Sequence, residues 1–260
     1  MTHGSLFSGG GGFDLAAEWM GWENAFHCEW IESKRKVLEQ KWPNAKSYGD
    51  ISKTDFTIWR GRIGILTGGF PCQDVSLAKR MGNGQQGLRG GRTGLFWEML
   101  RAISEIKPKY VIAENVANFL KINAGADART SLTELARLGY NAEWRICRAS
   151  EVGAPHHRAR LYLVAYPNSV RRQKGQTFFS HVHEEASPIG WDAAGTTISL
   201  IRGGSWSTKP PILCVDDGLP SKLVREHIHT YGNAVVPPLV FKIFQGVDSP
   251  NMYSFRGFLY

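Results

Sequence analysis

Cys72 sits in Phe70-Pro71-Cys72-Gln73, shortly after the apolar run Ile63–Thr67, which reads as a β-strand. A thiol held at a rigid turn beyond a strand is a candidate nucleophile, since Cys is intrinsically reactive once ionised. Glu114 closes a second apolar run, Tyr110–Ala113, and leads into Asn115-Val116. A carboxyl in an otherwise apolar run is not a comfortable surface charge, so Glu114 is a candidate for a functional site rather than a solvated one. Leu6-Phe7-Ser8-Gly9-Gly10-Gly11-Gly12-Phe13 runs from a strand into a helix through four glycines, a turn that lets the backbone approach a ligand closely. Glu29, followed by Trp30, stands where nucleotide-binding folds keep a ribose-binding carboxylate, and Asp50-Ile51 follows the next short strand. Cys28, Cys147 and Cys214 read as small buried hydrophobes. The absence of any CxxC spacing argues against a disulfide framework or a thiolate zinc site, and for a reducing compartment. His181/His183 and His227/His229 read as surface pairs, and no metal is expected.

These groups need a scaffold. Candidate strands are Ser5–Ser8, Asn24–Cys28, Lys46–Tyr48, Ile63–Thr67, Tyr110–Ala113, Ala142–Cys147 and Arg160–Ala165. Candidate helices are Phe13–Met20, Glu32–Lys41, Gly94–Ile106 and Ala128–Leu138, the last capped by Asp127. Alternating strand and helix predicts an α/β fold with a parallel sheet covered on both faces. Ligands of such sheets bind beyond the carboxyl ends of the strands, so the glycine turn, Glu29, Asp50, Cys72 and Glu114 should meet in one pocket. From Pro167 to Pro220 the periodicity gives way to Gly, Ser, Thr and Pro, and Val236–Phe244 then reads as a closing helix. The expected organisation is a catalytic α/β domain over 1–166, a small irregular insert over 167–220, and a segment over 221–260 that packs back on the first domain.

Forty-two per cent hydrophobic and 21% charged residues exclude a disordered or collagen-like chain. No apolar run approaches a membrane span and the first residues lack a signal-peptide layout, so a soluble cytoplasmic protein is expected. The formal charge of +8 suits a polyanionic partner. The excess sits mainly in residues 1–166, which hold 22 Lys/Arg against 16 Asp/Glu.

In this order the motifs resemble those of the cytosine-C5 DNA methyltransferases. Phe7-Ser8-Gly9-Gly10-Gly11-Gly12 is similar to the family's first S-adenosylmethionine motif, and Glu29-Trp30 and Asp50-Ile51 to its second and third. Pro71-Cys72-Gln73 matches the catalytic motif and Glu114-Asn115-Val116 the protonating one. His156-His157-Arg158-Ala159-Arg160 falls at Gln-x-Arg-x-Arg, and Tyr231-Gly232-Asn233-Ala234-Val235-Val236-Pro237 at the closing Gly-Asn-x-Val. The style is that of compact phage or prophage members. The resemblance implies a Rossmann-like S-adenosylmethionine-dependent methyltransferase fold with a target-recognition insert, acting on double-stranded DNA as a monomer, alongside a functionally paired restriction endonuclease.

It also implies roles. Cys72 would add to C6 of a flipped-out cytosine, Glu114 would protonate the ring, Arg160 would hold the base O2, and Arg158 would fix the site or a backbone phosphate. Phe7 to Phe13, Glu29, Trp30, Asp50, Ile51, Pro71, Leu95, Asn233, Ala234 and Val235 would surround the methyl donor. Gln73, Ser76, Lys79, Arg80, Arg89 and Arg92 would contact DNA from a glycine-rich loop, and Arg171, Arg172, Arg202 and Lys209 from the insert. His156 and Ala159 depart from the family's Gln and Glu, which puts local geometry there in question. Three other readings stay open: a transfer-RNA-type cytosine-C5 methyltransferase on the same fold, a non-catalytic DNA-binding relative, and a nicotinamide oxidoreductase. The last is disfavoured by Asp14, which stands where a dinucleotide fingerprint needs glycine.

Overall fold

The computed structural model describes residues 1–70, 94–154, 158–172, 175–182 and 235–249. Seven strands form one sheet: β1 (Thr2–Leu6), β2 (Glu23–Cys28), β3 (Lys46–Tyr48), β4 (Ile65–Gly69), β5 (Tyr110–Val116), β6 (Tyr140–Arg148) and β7 (Ala159–Pro167). Their spatial order is β3-β2-β1-β4-β5-β7-β6. The first five run parallel, as the alternation of strands and helices predicts. β7 corrects that expectation at the far edge. It lies antiparallel between β5 and β6, with Glu114 opposite Tyr162 and Val116 opposite Arg160. The 3₁₀ turn Ala149–Val152 and residues 153–158 link β6 to β7, too short a connection for the helical crossover a parallel pair requires.

Among the described residues, five helices cover the sheet: α1 (Gly12–Trp19), α2 (Glu32–Lys41), α3 (Gly94–Ile106), α4 (Ala126–Arg137) and α5 (Pro237–Asp248). Because strand side chains alternate, β5 feeds two cores. Val111 joins Leu66, Met99, Ile103 and Leu161 beneath α3 and α4. Tyr110 and Ile112 join Phe13, Tyr162, Val240 and Phe244 beneath α1 and α5. α5 is opened by Pro237-Pro238, whose fixed φ suits a helix start. It lies on α1, where the Trp19 and Phe241 rings meet edge to face at 6.1 Å.

Two local details differ from the sequence reading. The cap of α4 is Gly125 in the left-handed region rather than Asp127. Asp127 is buried in the first turn and accepts from Asn123 Nδ2. β1 ends at Leu6 rather than Ser8, because Phe7 adopts a φ of 53° that no strand tolerates.

Candidate active site

The strand order reverses between β1 and β4, and that switch point opens a crevice beyond their carboxyl ends. The chain leaves β1 through Phe7, Gly9 and Gly11, all at positive φ. For a bulky residue such as Phe7 this conformation is costly, and strain of that kind gathers at ligand sites. Gly11 is required twice over: its φ is 78°, and a Cβ there would lie 2.6 Å from the Trp42 ring. Gly12, Phe13 and Asp14 then supply the first-turn amides of α1, which have no acceptor within the helix. The Phe13 side chain is 2% exposed and points into the core, so only its backbone faces the crevice. Val235 packs on Gly12 and brings the segment before α5 to this loop.

Glu29 follows β2 directly and is buried, its carboxylate fixed by two backbone amides: Gly9 N–H at 2.7 Å and Ile31 N–H at 2.8 Å. Arg35 Nη1 holds the Glu29 carbonyl at 3.0 Å. Each carboxylate oxygen keeps a second lone pair for a ligand hydroxyl. Trp30 beside it is 70% exposed, an aromatic face open to solvent. Asp50 lies two residues beyond β3 and caps the turn Ile51–Lys53, accepting from Ser52 N and Ser52 Oγ, bonds that hold its carboxyl below its ordinary range. Ile51 is buried in the core, and its carbonyl accepts from Arg101 Nη2. A strained glycine turn, a fixed carboxylate and an exposed indole at the switch point fit a nucleoside-bearing methyl donor such as S-adenosylmethionine.

The second half of the crevice comes from β4, β5 and β7. Glu114 lies inside β5, not beyond it, because pairing with β7 carries the strand on to Val116. Its carboxyl is 8% exposed, and Arg160 Nε approaches Oε1 at 3.0 Å. The two residues are diagonal neighbours on one face of an antiparallel pair, close enough for long side chains to meet. Burial pushes the Glu114 carboxyl above its ordinary range, opposed by the guanidiniums of Arg160 and Arg158, and burial prevails. Arg158 is in turn held below the usual guanidinium range by burial and by Arg160. Gly69 lies directly across the β4–β5 ladder from Glu114, and a Cβ there would sit 3.1 Å from Oε2.

Asn115, which the sequence reading did not assign to the site, donates from Nδ2 to the Phe70 carbonyl at 3.4 Å. The Phe70 ring is anchored between Phe96 and Phe119. Asn115 thus ties β5 to the residue two before Cys72; its place in the Glu-Asn-Val string was the available signal. Leu95 is half-buried at the start of α3, against the core under Phe96.

The structure brings together the glycine turn, Glu29, Glu114, Arg158 and Arg160 at one edge of the sheet. Arg172 is turned to other work. It pairs with Glu143, donates to the Gln176 carbonyl and covers the Phe178 ring at 4.3 Å, with its side chain only 12% exposed. That internal role replaces the DNA contact expected of it, while Arg171 is exposed. Cys28 and Cys147 are buried and their thiols are pushed up to about 12, mainly by burial, so neither is a nucleophile. Pro71, Cys72, Gln73, Ser76, Lys79, Arg80, Arg89, Arg92, His156, Arg202, Lys209, Asn233 and Ala234 lie outside the described residues. No described helix is long and apolar enough to cross a membrane.

Comparison with known proteins agrees with this geometry. The model of the C-5 cytosine-specific DNA methylase family matches residues 1–209. The chain is 33% identical over 190 residues to the type II methyltransferase M.Sau3AI of Staphylococcus aureus, covering 65% of this chain and 44% of that one. It is 32% identical over 171 residues to the type II methyltransferase M.HhaI of Haemophilus parahaemolyticus, covering 66% and 50%. It therefore spans about half the length of the curated relatives it matches. Among solved structures, a candidate DNA modification methyltransferase from an Escherichia coli prophage aligns with a TM-score of 0.56 at 22% identity, over 69% of this chain and 50% of that one. The Dnmt2 methyltransferase of S. pombe aligns with a TM-score of 0.50 at 20% identity, over 65% and 50%. These two show the same Rossmann-like fold. With the family model spanning most of its length, the chain belongs to the C-5 cytosine-specific DNA methylase family.

Proposed function

We propose that the chain transfers a methyl group from S-adenosylmethionine to C5 of a cytosine flipped out of double-stranded DNA, through a covalent bond between Cys72 and C6. The observation that carries this reading is the buried Glu114 carboxyl, held towards its protonated form in a crevice shared with Arg160 and the glycine turn. Only Pro71 separates Cys72 from Phe70, so covalent reach alone keeps them within ~7 Å of each other. Phe70 is in turn tied to Asn115, the neighbour of Glu114.

Glu29 and the backbone of Phe7 to Gly12 would bind the cofactor, which supplies an electrophilic sulfonium methyl. The Cys72 thiolate adds to C6 while Glu114 gives its proton to N3, converting the aromatic ring to an enamine whose C5 is nucleophilic. Arg160, already beside Glu114, is within reach of the base O2 once substrate separates the pair. After C5 is methylated, a base removes the C5 proton, the C5–C6 double bond reforms, Cys72 leaves as thiolate and N3 returns its proton to Glu114.

Residues 167–220 would read the target and residues 221–260 would return to the catalytic domain, a division supported by the packing of α5 on α1. Lys79, Arg80, Arg89, Arg92 and Arg171 would contact phosphates. A cognate restriction endonuclease and a monomeric state complete the proposal.

The test is transfer of labelled methyl from S-adenosylmethionine by the full chain to duplex DNA and to transfer RNA. It is paired with covalent trapping on DNA containing 5-fluorocytosine. Methylated DNA and a trapped adduct that Cys72→Ser abolishes are expected. Methylation of transfer RNA alone would move the substrate to RNA, and no trapped adduct with either would overturn the enzyme.

A further inference from the structure

Asp14 has no part in the chemistry above, yet it is fully buried in the first turn of α1, directly under the glycine turn. Acidic residues at this helix position normally stay at the surface and favour the helix dipole. Here the side chain turns inward instead. Oδ1 accepts from Ser5 Oγ at 2.8 Å, and Oδ2 is buried without a partner.

The Ser5 hydroxyl, committed to Asp14, cannot also donate to Ser8, although the two Oγ atoms are 2.6 Å apart. Donation across that short contact then falls to the Ser8 hydroxyl, for which the Ser5 and Cys28 carbonyls, both at 3.3 Å, are longer alternatives, and Ser8 Oγ accepts from the Cys28 amide at 3.2 Å. The backbone closes the same seam, with Ser8 N–H donating to the Cys28 carbonyl at 3.1 Å. One residue further along each strand end, Gly9 N–H donates to Glu29. Along the side-chain relay, from the Cys28 amide through Ser8 and Ser5, each donor points towards Asp14.

We propose that Asp14 is a positioning residue for cofactor binding: as the terminal acceptor of the relay from Cys28 through Ser8 and Ser5, it fixes the glycine turn against Glu29. The assignment rests on the reading of that crevice as the S-adenosylmethionine site. Full burial with one unpartnered oxygen favours the neutral carboxyl, because an ionised one would bury a charge that a single hydroxyl bond does not compensate. Burial raises the Asp14 carboxyl from 3.8 to about 7, with the Ser5 bond opposing.

Among the described residues, no group around it supplies a compensating cation. β1 brings His3, lowered to about 4 by burial and bonded to Asn24 and Thr67. β2 brings His27, likewise lowered by burial, and Asn24, which donates to the Asp14 carbonyl. On α1 itself, Glu18 is paired with Lys41 at the surface, and α5 carries only Lys242 and Asp248. Affinity for the cofactor should accordingly fall as pH rises through about 7, when the charge must form.

The test combines calorimetric binding of S-adenosylmethionine across pH 6–9 with amide hydrogen exchange at Gly9 and Cys28 in the free full chain. Asp14→Ala should weaken binding about tenfold, the scale of a lost buried hydrogen-bond partner. It should also speed exchange at both amides. Asp14→Asn, which keeps the acceptor and cannot ionise, should restore affinity and protection and give a pH-independent dissociation constant. Ser5→Ala and Asp14→Ala together should cost no more than either alone. If Asp14→Ala leaves exchange at Gly9 and Cys28 unchanged, or Asp14→Asn keeps the wild-type pH profile, the relay is refuted. If the wild type binds no S-adenosylmethionine at any pH, the cofactor reading fails instead, and the exchange data alone judge the relay.

Discussion

Two adjacent glycines at the end of β4 should respond to the same substitution in opposite ways. A methyl group at Gly69 would sit 3.1 Å from Glu114 Oε2, a few tenths of an ångström too close. The atom in its way is the tip of a side chain, so the fold yields easily. Gly69→Ala also gains about 0.4–1 kcal/mol from a less flexible unfolded chain, and net stability should change by less than about 1 kcal/mol. The rate has no such relief. The carboxyl must shift along with its 3.0 Å contact to Arg160. A misplacement of about 1 Å costs about 100-fold, so a few tenths should cost about tenfold in kcat. At Gly68 the added methyl would meet the Leu6 carbonyl oxygen and Met99 Cε, both at 3.2 Å and both in the core. Gly68→Ala should therefore lose about 1–3 kcal/mol of stability while methylating nearly normally per folded molecule. Initial rates at saturating DNA and cofactor, alongside denaturant midpoints, separate the two. A Gly69→Ala protein with wild-type kcat would mean that the Glu114 carboxyl is not poised in this position for the reaction.

Glu29→Ala removes the acceptor of two charge-assisted amide bonds and should weaken S-adenosylmethionine binding at least tenfold by calorimetry; unchanged affinity would remove Glu29 from the site. Cys72→Ser should abolish methyl transfer while cofactor affinity stays within about twofold, and retained turnover would contradict the nucleophile. Gly11→Ala forces a left-handed conformation and a 2.6 Å clash with Trp42, for a loss of at least about 2 kcal/mol; an unaltered melting temperature would show that the loop can reorganise. Because the Asp14 carboxyl is raised from 3.8 to about 7, its contribution to stability is complete below 3.8 and lost as pH rises through about 7. The wild type should thus lose stability between about pH 4 and pH 7 relative to Asp14→Asn, as measured by urea midpoints, and parallel profiles would refute the shift.

Much of the scaffold is readable from local pattern. Glu32–Lys41 and Gly94–Ile106 are helices with those very bounds, and Lys46–Tyr48 is the short third strand. What local pattern cannot encode is direction. Arg160–Ala165 alternates as any strand does, and only its partners make β7 antiparallel and extend β5 past Glu114. β1 begins at Thr2 because buried His3 bonds Asn24 and Thr67, a long-range pairing that offsets the polar residue in a strand. Arg172 looked like a surface cation because its carboxylate, Glu143, is 29 residues away in sequence. The motifs placed Glu29, Glu114 and Arg160 correctly at the sheet edge, but said nothing of the Asp14 relay, whose members are chemically ordinary serines and an acid.

The antiparallel insertion of β7 also sets the order in which the molecule becomes competent during synthesis. Until residues 159–167 emerge from the ribosome, β5 is an open edge with unpaired amides and carbonyls, the kind of surface that recruits stray strands. Glu114 meanwhile waits without its guanidinium, which arrives 46 residues later. A chain that stalls or is cleaved before β7 should therefore be sticky as well as inert, and recognisable to chaperones. The last of the described strands to be made both joins β5 to β6 and brings Arg160 to Glu114.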